Sequence, residues 1–516
     1  MGSVHERNRS VWVADTAGDE PSCDRPVEGR FDTVVIGAGI AGLSTAMLLS
    51  EAGSRVAVVE AGPLAAGATG YTTAKVTALH GLRYASLAKR YGAEGAATYA
   101  AANQWAVEEV ARLADRNDID CAFERLPAFT YATDAGRVAD IADEVDAARA
   151  AGLAATFATE IGLPFPAAGA VRLDDQAQFH PRRFCFGLAR ALGAMDVPVW
   201  DHTVATGVHE GSPCEVRTKR GALTADSVVL ATHLPFLDRG LFFAKAHAKR
   251  SYAMAVTLTA PPPRGMYFGI GSATRSLRPL GPGEGTTSAI VGGEGHPVGH
   301  EPDTEARYSK VEEWAREHFH VTSVDHRWSA QDYEPADGVP YVGRQLPGDK
   351  RVLVATGFSK WGMTNGVASA RILTDLLTGQ DNPWASFFDA ARLRPRQALR
   401  SLVEENAQVG LHFVADRAKA WTAPSVDHLP AGEGALVKIG GRPVAAFRDD
   451  DGELHAVSAR CTHLGCLVAW NPAERSWDCP CHGSRFDIDG QVVQGPATEP
   501  LAPKDAPAPD RGDGPG

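Results

Sequence analysis

Two short cysteine–histidine motifs near residue 470 carry the clearest chemistry in this sequence. Cys461-Thr462-His463 is followed, after 15 intervening residues, by Cys479-Pro480-Cys481-His482. Each motif offers a thiolate and an imidazole, so the pair supplies two sulfur and two nitrogen ligands from two loops. A [2Fe–2S] cluster whose second iron is bound by two histidines needs that set, and the histidines raise its reduction potential. The motifs therefore predict a centre that handles electrons one at a time.

A tetrahedral zinc site is the alternative for the same side chains. Two thiolates and two imidazoles also suit structural zinc, but zinc fingers usually take both cysteines from one loop and both histidines from another. Here each loop brings one of each. Cys466 in the first loop and Cys481 in the second remain beyond the four ligands. These features favour the cluster and leave zinc open.

The block with CTHLGC and CPCHGS resembles the Rieske domain of cytochrome bc-type complexes. The resemblance implies that the cluster is bound by Cys461, His463, Cys479 and His482. It also implies a disulfide between Cys466 and Cys481 that ties the two loops together.

Two further positions bear on the potential of this cluster. By the same resemblance, Ser484 donates a hydrogen bond to a cluster sulfur. Where high-potential members usually carry a tyrosine, this chain has Phe486. The missing hydroxyl predicts a lower potential, because hydrogen bonds to the sulfurs stabilise the more negative reduced cluster.

A glycine-rich turn near the start predicts a dinucleotide-binding βαβ unit. The apolar strand FDTVVIG leads into Gly37-Ala38-Gly39-Ile40-Ala41-Gly42, an apolar helix ends at Gly53, and a second strand ends at Glu60-Ala61. The glycines permit a tight turn and close approach to a pyrophosphate, which the helix N-terminus attracts. Glu60, 18 residues past Gly42, is placed to bond a ribose hydroxyl.

Later segments indicate FAD as the dinucleotide. Residues 351–379 predict a strand, a glycine-rich turn and a helix, whose N-terminus would lie beside the flavin. This split arrangement resembles the D-amino-acid-oxidase-like family of FAD enzymes, which includes glycine and sarcosine oxidases. The resemblance implies adenine contacts from the backbone around Val204. It places a second cofactor loop at Gly357, Phe358, Trp361, Gly362 and Met363.

The segments GATGYTTAKVTALHG (67–81) and GFSKWGMTNG (357–366) look like a bacterial subgroup in which this oxidoreductase is fused to a Rieske domain. That resemblance implies that Thr72, Thr73 and Lys75 approach the flavin ring; a polar loop with a capping threonine is the simpler interpretation. His80 raises the question of a covalent flavin link. Since the cysteine used by sarcosine oxidases has no counterpart, noncovalent FAD is expected.

The substrate region departs from the amino-acid oxidases. The stretch RWSAQDYEPADGVPYVG (327–343) aligns with one that in those enzymes carries a carboxylate-binding arginine, but Asp332-Tyr333 stands there. The bidentate clamp of an arginine is missing, which argues against a simple α-amino acid. Asp332, Tyr333 and Lys360 are the candidate catalytic residues, with ordinary packing or a solvated lysine as the alternatives.

These motifs predict an α/β, Rossmann-like FAD-binding domain interleaved with a mixed-sheet substrate domain, and a small all-β Rieske domain. The predicted ranges are a disordered N-terminus (1–30), the FAD-binding domain (31–81, 166–235 and 346–380), the substrate domain (82–165 and 236–345), a helical connector (381–420), the Rieske domain (421–505) and a disordered tail (506–516).

The composition of the 516 residues limits the partners. A formal net charge of −12 without a Lys/Arg cluster argues against nucleic acid. No apolar run approaches the roughly 20 residues of a membrane span, and the polar N-terminus lacks a signal-peptide core, so a cytoplasmic location is expected. The expected partners are a small-molecule substrate and an external electron acceptor or donor.

The sequence thus predicts an FAD-dependent dehydrogenase that oxidises a small amine or amino-acid-like substrate by hydride transfer. Single electrons then leave through the cluster. The alternative is a redox sensor, an electron-transfer module, or a reductase in which the cluster feeds the flavin.

Overall fold

The computed structural model describes residues 8–237, 239–271, 273–349, 351–392, 426–440 and 442–504. These residues form two compact units. The first unit contains the residues up to His296 and those from Ala306 to 392. The second unit contains Pro297–Glu305 together with the described residues after 425. Within the described ranges, no helix combines the length and the apolar character needed to cross a membrane.

The first half of the first unit contains α1 (Val11–Asp15), β1 (Arg30–Ile36), α2 (Ile40–Glu51), β2 (Val56–Val59), β3 (Lys75–Val76), α3 (Arg83–Arg116), β4 (Glu124–Ala132), α4 (Val138–Ala150), β5 (Thr156–Ala158), β6 (Gly169–Gln178), α5 (Pro181–Ala194), β7 (Val199–Trp200), β8 (Ala205–His209), β9 (Cys214–Thr218) and β10 (Ala222–Leu230). Its second half contains α6 (Phe242–Lys245), β11 (Ala246–Leu258), β12 (Met266–Ile270), β13 (Arg275–Pro279), β14 (Ser288–Pro297), α7 (Thr304–His318), β15 (Val321–Pro335), β16 (Tyr341–Arg344), β17 (Val352–Thr356), α8 (Gly362–Thr378) and α9 (Ala385–Phe388).

The first sheet joins strands that are far apart in sequence. Its order is β16-β17-β10-β1-β2-β7, with β9 and β8 added beside β10. The strands from β17 to β7 run parallel, whereas β16 is antiparallel to β17. Val34 and Val35 of β1 are both fully buried, as expected where a parallel sheet is covered on both faces. The sheet therefore presents the carboxyl ends of β1, β2, β10 and β17 along one edge.

The second sheet of this unit is mixed. Its order is β15-β11-β14-β13-β12-β4-β6-β3, and β5 pairs with β6. Its longest pairing is the antiparallel ladder of β11 with β15, while β12 and β4 run parallel. An α/β sheet interleaved with a mixed sheet confirms the predicted fold class of this half of the chain.

Strand membership differs from the predicted ranges at three places. β3 and β6 fall within predicted FAD-binding segments but belong to the mixed sheet, whereas β16 falls within the predicted substrate domain but belongs to the parallel sheet. An apolar pattern identifies a strand without identifying its partner, so these assignments depended on tertiary contacts.

The N-terminal prediction of disorder for residues 1–30 is wrong for the part that the structure describes. α1 starts after Ser10, whose side chain accepts a hydrogen bond from the amide of Val13. Trp12 is 3% exposed, and its indole donates to the carbonyl of Thr72 at 2.7 Å. One buried aromatic side chain thus fixes a segment whose composition is polar. Most of the predicted connector and the tail after residue 504 lie outside the described residues.

The second unit consists of two small antiparallel sheets. β18 (Gly434–Ile439), β19 (Arg442–Arg448) and β20 (Leu454–Ser458) form the first; β21 (Ala469–Asn471), β22 (Ser476–Asp478), β23 (Arg485–Phe486) and β24 (Val492–Gln494) form the second. The cluster motifs lie in the loops that precede β21 and follow β22. This short-stranded architecture confirms the predicted all-β domain.

Candidate functional site

The turn after β1 has no room for side chains at Gly37 and Gly42. A Cβ atom at Gly37 would lie 2.4 Å from the carbonyl oxygen of Ala231, and one at Gly42 would lie 1.8 Å from that of Gly37. Gly37 also has a φ of 109°, a conformation that favours glycine. α2 starts at Ile40, within this turn, so the partial positive charge of its N-terminus lies where a pyrophosphate would bind.

Glu60 supports the same turn from the end of β2. Its carboxylate accepts hydrogen bonds from the amides of Ala38 at 2.7 Å and Gly62 at 3.1 Å. Desolvation raises the pKa of this carboxyl, and the hydrogen bonds from the backbone oppose the rise. The predicted ribose hydroxyl would bond to Glu60 in addition to these two amides, because a carboxylate has enough lone pairs to accept all three hydrogen bonds.

The segment after β7 lies beside Glu60. The amide of Thr203 donates to the carbonyl of Glu60 at 2.7 Å, and that of His202 donates to the carbonyl of Gly62 at 3.1 Å. Val204 follows directly, and its carbonyl accepts from the amide of Lys219 at 3.0 Å. The predicted adenine contact thus lies next to the end of β2.

The loop from Thr72 to Lys75 is held by groups that the sequence did not predict. The hydroxyl of Thr72 accepts from the Ala74 amide at 3.0 Å, and the carbonyl of Thr73 accepts from Arg278 Nε at 2.5 Å. Lys75 donates to Ser276 Oγ. Burial lowers the pKa of Lys75 to about 7, and the charge of Arg278 adds to this effect. The loop is therefore braced from β13 as well as from α1, while its contact with flavin stays a prediction.

α8 brings a second helix N-terminus to the glycine-rich turn. A Cβ atom at Gly366 would lie 3.3 Å from Ile40 and 3.4 Å from Ala41, so α8 packs closely on the start of α2. The loop before α8 is unusual, because Ser359 and Lys360 have φ values of 53° and 71°. These conformations are uncommon for residues with side chains and mark a loop fixed by its surroundings.

His80 lies under this loop. Its ring stacks on Trp361 with centroids 4.6 Å apart. Nε2 bonds the Thr77 carbonyl at 2.7 Å, which can only accept, so Nε2 carries the proton and Nδ1 accepts from the Tyr99 hydroxyl at 2.7 Å. Burial lowers the pKa of His80 to about 3. His80 is thus a neutral imidazole with both nitrogens hydrogen-bonded within the protein.

The three candidate catalytic residues occupy different environments. Asp332 accepts from the amide of Lys360 through Oδ2, and Oδ1 lies 3.1 Å from His233 Nε2. Tyr333 is fully buried, and its hydroxyl accepts from Gln331 at 3.2 Å. Lys360 keeps an exposed surface, and desolvation lowers its pKa. Asp332 therefore supports the loop before α8. No sequence pattern pointed to its partner His233, which lies three residues after the end of β10 and has a φ of 68°.

The two cluster loops have the same backbone design. In each, the amide of the glycine four residues on donates to the carbonyl of the first cysteine: Gly465 to Cys461 at 3.0 Å and Gly483 to Cys479 at 2.9 Å. The two glycines have φ values of 76° and 75°. Both Cys461 and Cys479 are buried. Each loop thus delivers one thiol and one imidazole from an equivalent turn.

These four side chains form one pair of neighbouring thiols and one pair of neighbouring imidazoles. The neighbouring Cys479 side chain is the main cause that lowers the pKa of Cys461 to about 7. The rings of His463 and His482 meet edge to face, with centroids 5.0 Å apart. Two adjacent thiols and two adjacent imidazoles are the donor set that a [2Fe–2S] cluster with mixed ligation needs.

The disulfide between Cys466 and Cys481 is present and joins the loops, as predicted. The sulfur atoms of Cys466, Cys479 and Cys481 all lie within 4.8 Å of one another. Because the disulfide occupies two of them, this group is not a metal-binding set.

Ser484 and Phe486 are both fully buried beside these loops. The hydroxyl oxygen of Ser484 accepts from the Ala497 amide at 3.1 Å, and the Ser484 side chain helps to lower the pKa of Cys461. Phe486 pairs with Trp477 across β22 and β23 and offers no hydrogen bond donor. Ser484 therefore places one hydroxyl near the thiols, whereas the side chain of Phe486 has none.

Comparisons with known protein families agree with the division of the chain into a dinucleotide-binding part and a cluster-binding part. A family model described as FAD dependent oxidoreductase matches residues 32–376, and one described as Rieske [2Fe-2S] domain matches residues 421–504. Over 499 residues, the chain is 35% identical to a putative Rieske 2Fe-2S iron-sulfur protein, YhfW, of Bacillus subtilis (strain 168). This match covers 96% of the chain and 97% of the relative.

A partial relative matches the C-terminal part of the chain, and two solved structures match about 70% of it. The cytochrome b6-f complex iron-sulfur subunit of Chlorobaculum thiosulfatiphilum is 40% identical over 84 residues, which are 15% of this chain and 46% of that subunit. Glycine oxidase from Geobacillus kaustophilus superimposes with a TM-score of 0.59 at 17% identity, over 70% of this chain and 99% of that one. L-amino acid deaminase from Proteus vulgaris, in a form that lacks its specific insertion sequence, superimposes with a TM-score of 0.57 at 17% identity, over 72% of this chain and 96% of that one. At this identity the structural likeness shows the fold alone.

Proposed function

The chain belongs to the family of FAD-dependent oxidoreductases and carries a Rieske [2Fe–2S] domain, and we propose that it is a dehydrogenase for a small amine or amino-acid-like substrate. When bound, FAD would accept a hydride from the substrate, and the cluster would pass single electrons to an external acceptor. One observation carries this proposal: a dinucleotide-binding turn and a mixed thiol–imidazole donor set occur in one chain. FAD, when bound, accepts two electrons together and can release them one at a time.

The flavin half supplies binding and orientation. Gly37 and Gly42 let the backbone approach the pyrophosphate, and Glu60 fixes the turn while it bonds the ribose. The loop before α8 would meet the flavin. Since both nitrogens of His80 are hydrogen-bonded to other protein groups, this residue positions Trp361, and FAD is held noncovalently.

Lys360 is the side chain proposed to face the reacting groups. A Cβ atom at Gly295 would lie 2.8 Å from its Nζ, so the neighbouring strand β14 leaves space for the amine. Desolvation lowers the pKa of Lys360, which lets a neutral amine accept a proton at a lower pH than an ordinary lysine. Asp332 and Tyr333 are assigned to positioning, because their polar atoms are engaged within the protein.

The cluster half supplies the outlet. Cys461 and Cys479 are proposed to bind one iron, and His463 and His482 the other. The cluster transfers one electron at a time when bound. The external acceptor is unidentified, and a cytoplasmic location and the absence of a nucleic-acid partner stay predictions from the composition.

Anaerobic titration tests this function. Amines and amino acids are screened for bleaching of flavin absorbance, and the cluster is followed by electron paramagnetic resonance (EPR). Bleaching of FAD followed by the EPR signal of a reduced cluster supports the proposal, and Lys360→Met should slow the bleaching step. The variant Cys461→Ser, without a cluster, is the control and should bleach without reducing an added one-electron acceptor.

Two results would contradict the proposed direction. If the flavin bleaches while the cluster stays oxidised, electrons do not pass from the flavin to the cluster. Flavin that is reduced only after the cluster has been reduced chemically favours the reverse function, a reductase or redox module fed by the cluster.

A further inference from the structure

A stretch from the middle of the chain forms part of the cluster unit. Pro297–Glu305 lies between the rest of β14 and α7 in sequence, yet it groups with the described residues after 425. The unit that holds the cluster motifs is therefore built from two separate stretches of chain. Two residues of the inserted stretch, Gly299 and Thr304, make contacts that lead to the second cluster loop.

Gly299 lies against Pro480, the residue between Cys479 and Cys481. A Cβ atom at position 299 would lie 2.7 Å from the Cβ, 2.8 Å from the Cα and 3.0 Å from the nitrogen of Pro480. Two of these atoms are backbone, and the proline ring is rigid, so neither can move without displacing the loop. Gly299 also has a φ of 73°. Glycine is thus required here by contact as well as by conformation.

Thr304 reaches the same loop through a chain of buried hydrogen bonds. Its side chain is 3% exposed, its hydroxyl donates to Asn471 Oδ1 at 2.8 Å, and its oxygen accepts from the Ala473 amide at 3.1 Å. Asn471 then donates through Nδ2 to Asp478 at 2.9 Å. Asp478 directly precedes Cys479. Buried networks of this kind fix one arrangement when every member is satisfied.

We propose that Gly299 and Thr304 are positioning residues for the loop that carries Cys479 and His482. Gly299 sets the position of the loop at Pro480. Thr304 sets the position of the residue before the loop, Asp478, through the hydrogen bonds of Asn471. The inference rests on the proposed function, because it takes Cys479 and His482 as cluster ligands. The geometry of the cluster then depends on residues encoded more than 150 positions before it.

Variants of the full-length holoprotein test this role. Gly299→Ala and Thr304→Val should change the EPR g-values of the reduced cluster and shift its reduction potential, while the flavin content stays that of the wild type. Thr304→Val should also lose iron to a chelator roughly tenfold faster, which corresponds to the net worth of about one buried hydrogen bond. Thr304→Ser keeps the hydroxyl and should restore the wild-type values.

Gly452→Ala is the matched control for the glycine. Gly452 lies in the same unit with a φ of 88°, but a Cβ atom there would meet nothing within 4 Å. This variant therefore carries the conformational strain without the contact and should keep the wild-type EPR spectrum. Wild-type spectra and potentials for both Gly299→Ala and Thr304→Val would overturn the inference, as would a Thr304→Ser variant that behaves like Thr304→Val. A wild-type protein without the EPR signal of a reduced cluster would instead refute the proposed function itself.

Discussion

Replacing Ser484 with alanine is expected to lower the reduction potential of the cluster. The Ser484 side chain is fully buried and helps to lower the pKa of Cys461, and the family resemblance implies that its hydroxyl donates a hydrogen bond to a cluster sulfur. The reduced cluster carries one more negative charge than the oxidised one. The hydrogen bond is therefore stronger in the reduced state, and its loss disfavours reduction.

The size of the effect follows from the strength of a single hydrogen bond. A hydrogen bond to a charged group contributes about 1.5–3 kcal/mol in total. If roughly 1–2 kcal/mol of this distinguishes the reduced from the oxidised state, the potential falls by about 40–90 mV, since one electron gives 59 mV per tenfold change and a tenfold change is 1.4 kcal/mol.

A redox titration followed by circular dichroism or EPR measures this change. Ser484→Thr keeps the hydroxyl and is the control, so its potential should stay close to that of the wild type. Phe486→Tyr should act in the opposite direction, because it adds a hydroxyl at a fully buried position beside the same loops. An unchanged potential for Ser484→Ala, with the cluster fully loaded, would refute the reasoning.

Three further predictions concern the flavin half. Gly42→Ala should abolish FAD binding, because its Cβ would lie 1.8 Å from the Gly37 carbonyl oxygen; Gly53→Ala, with nothing within 4 Å, should purify with normal flavin content. Burial raises the pKa of Glu144 from 4.5 to about 7, so the folded state binds this proton more tightly than the unfolded state does. The free energy of unfolding should therefore fall by up to about 3 kcal/mol as the pH rises from 4.5 to 7. Glu144→Gln should flatten that part of the pH profile in thermal unfolding, and an unchanged slope would contradict this. Asp332→Ala should lower the unfolding free energy of the flavin half by about 2–4 kcal/mol, measured in urea, whereas wild-type stability would rule out a supporting role.

The features that the sequence predicted best are those in which neighbouring residues determine the geometry. The turn from Gly37 to Gly42 needs glycine because its own carbonyl lies where a Cβ would be, and such a turn can be recognised within six residues. The disulfide between Cys466 and Cys481 followed from a family pattern confined to two short loops. Both the fold class and the two cofactors were therefore accessible from local motifs.

Contacts between distant segments were not accessible in this way. Trp12 lies in a polar stretch, and its anchoring to Thr72 depends on a hydrogen bond across 60 residues. The role of Asp332 depends on His233 and on the backbone of Lys360, neither of which is near it in sequence. A list of residue types could nominate Asp332 as catalytic, but only the positions of its partners indicate that its oxygens are engaged.

The interleaving of the parallel sheet also determines when the flavin site can form during synthesis. Arg30 of β1 pairs with Thr224 of β10, and β17 joins the sheet only after residue 352. Such long-range pairing is slow, and it exposes apolar strands while the partner is still missing. α8, which packs on α2, ends at Thr378. A nascent chain that stops before this residue does not yet have the complete helix. FAD should therefore bind late, after the strands of the mixed sheet have already been synthesised, and β1 should be among the segments that need protection from aggregation until then.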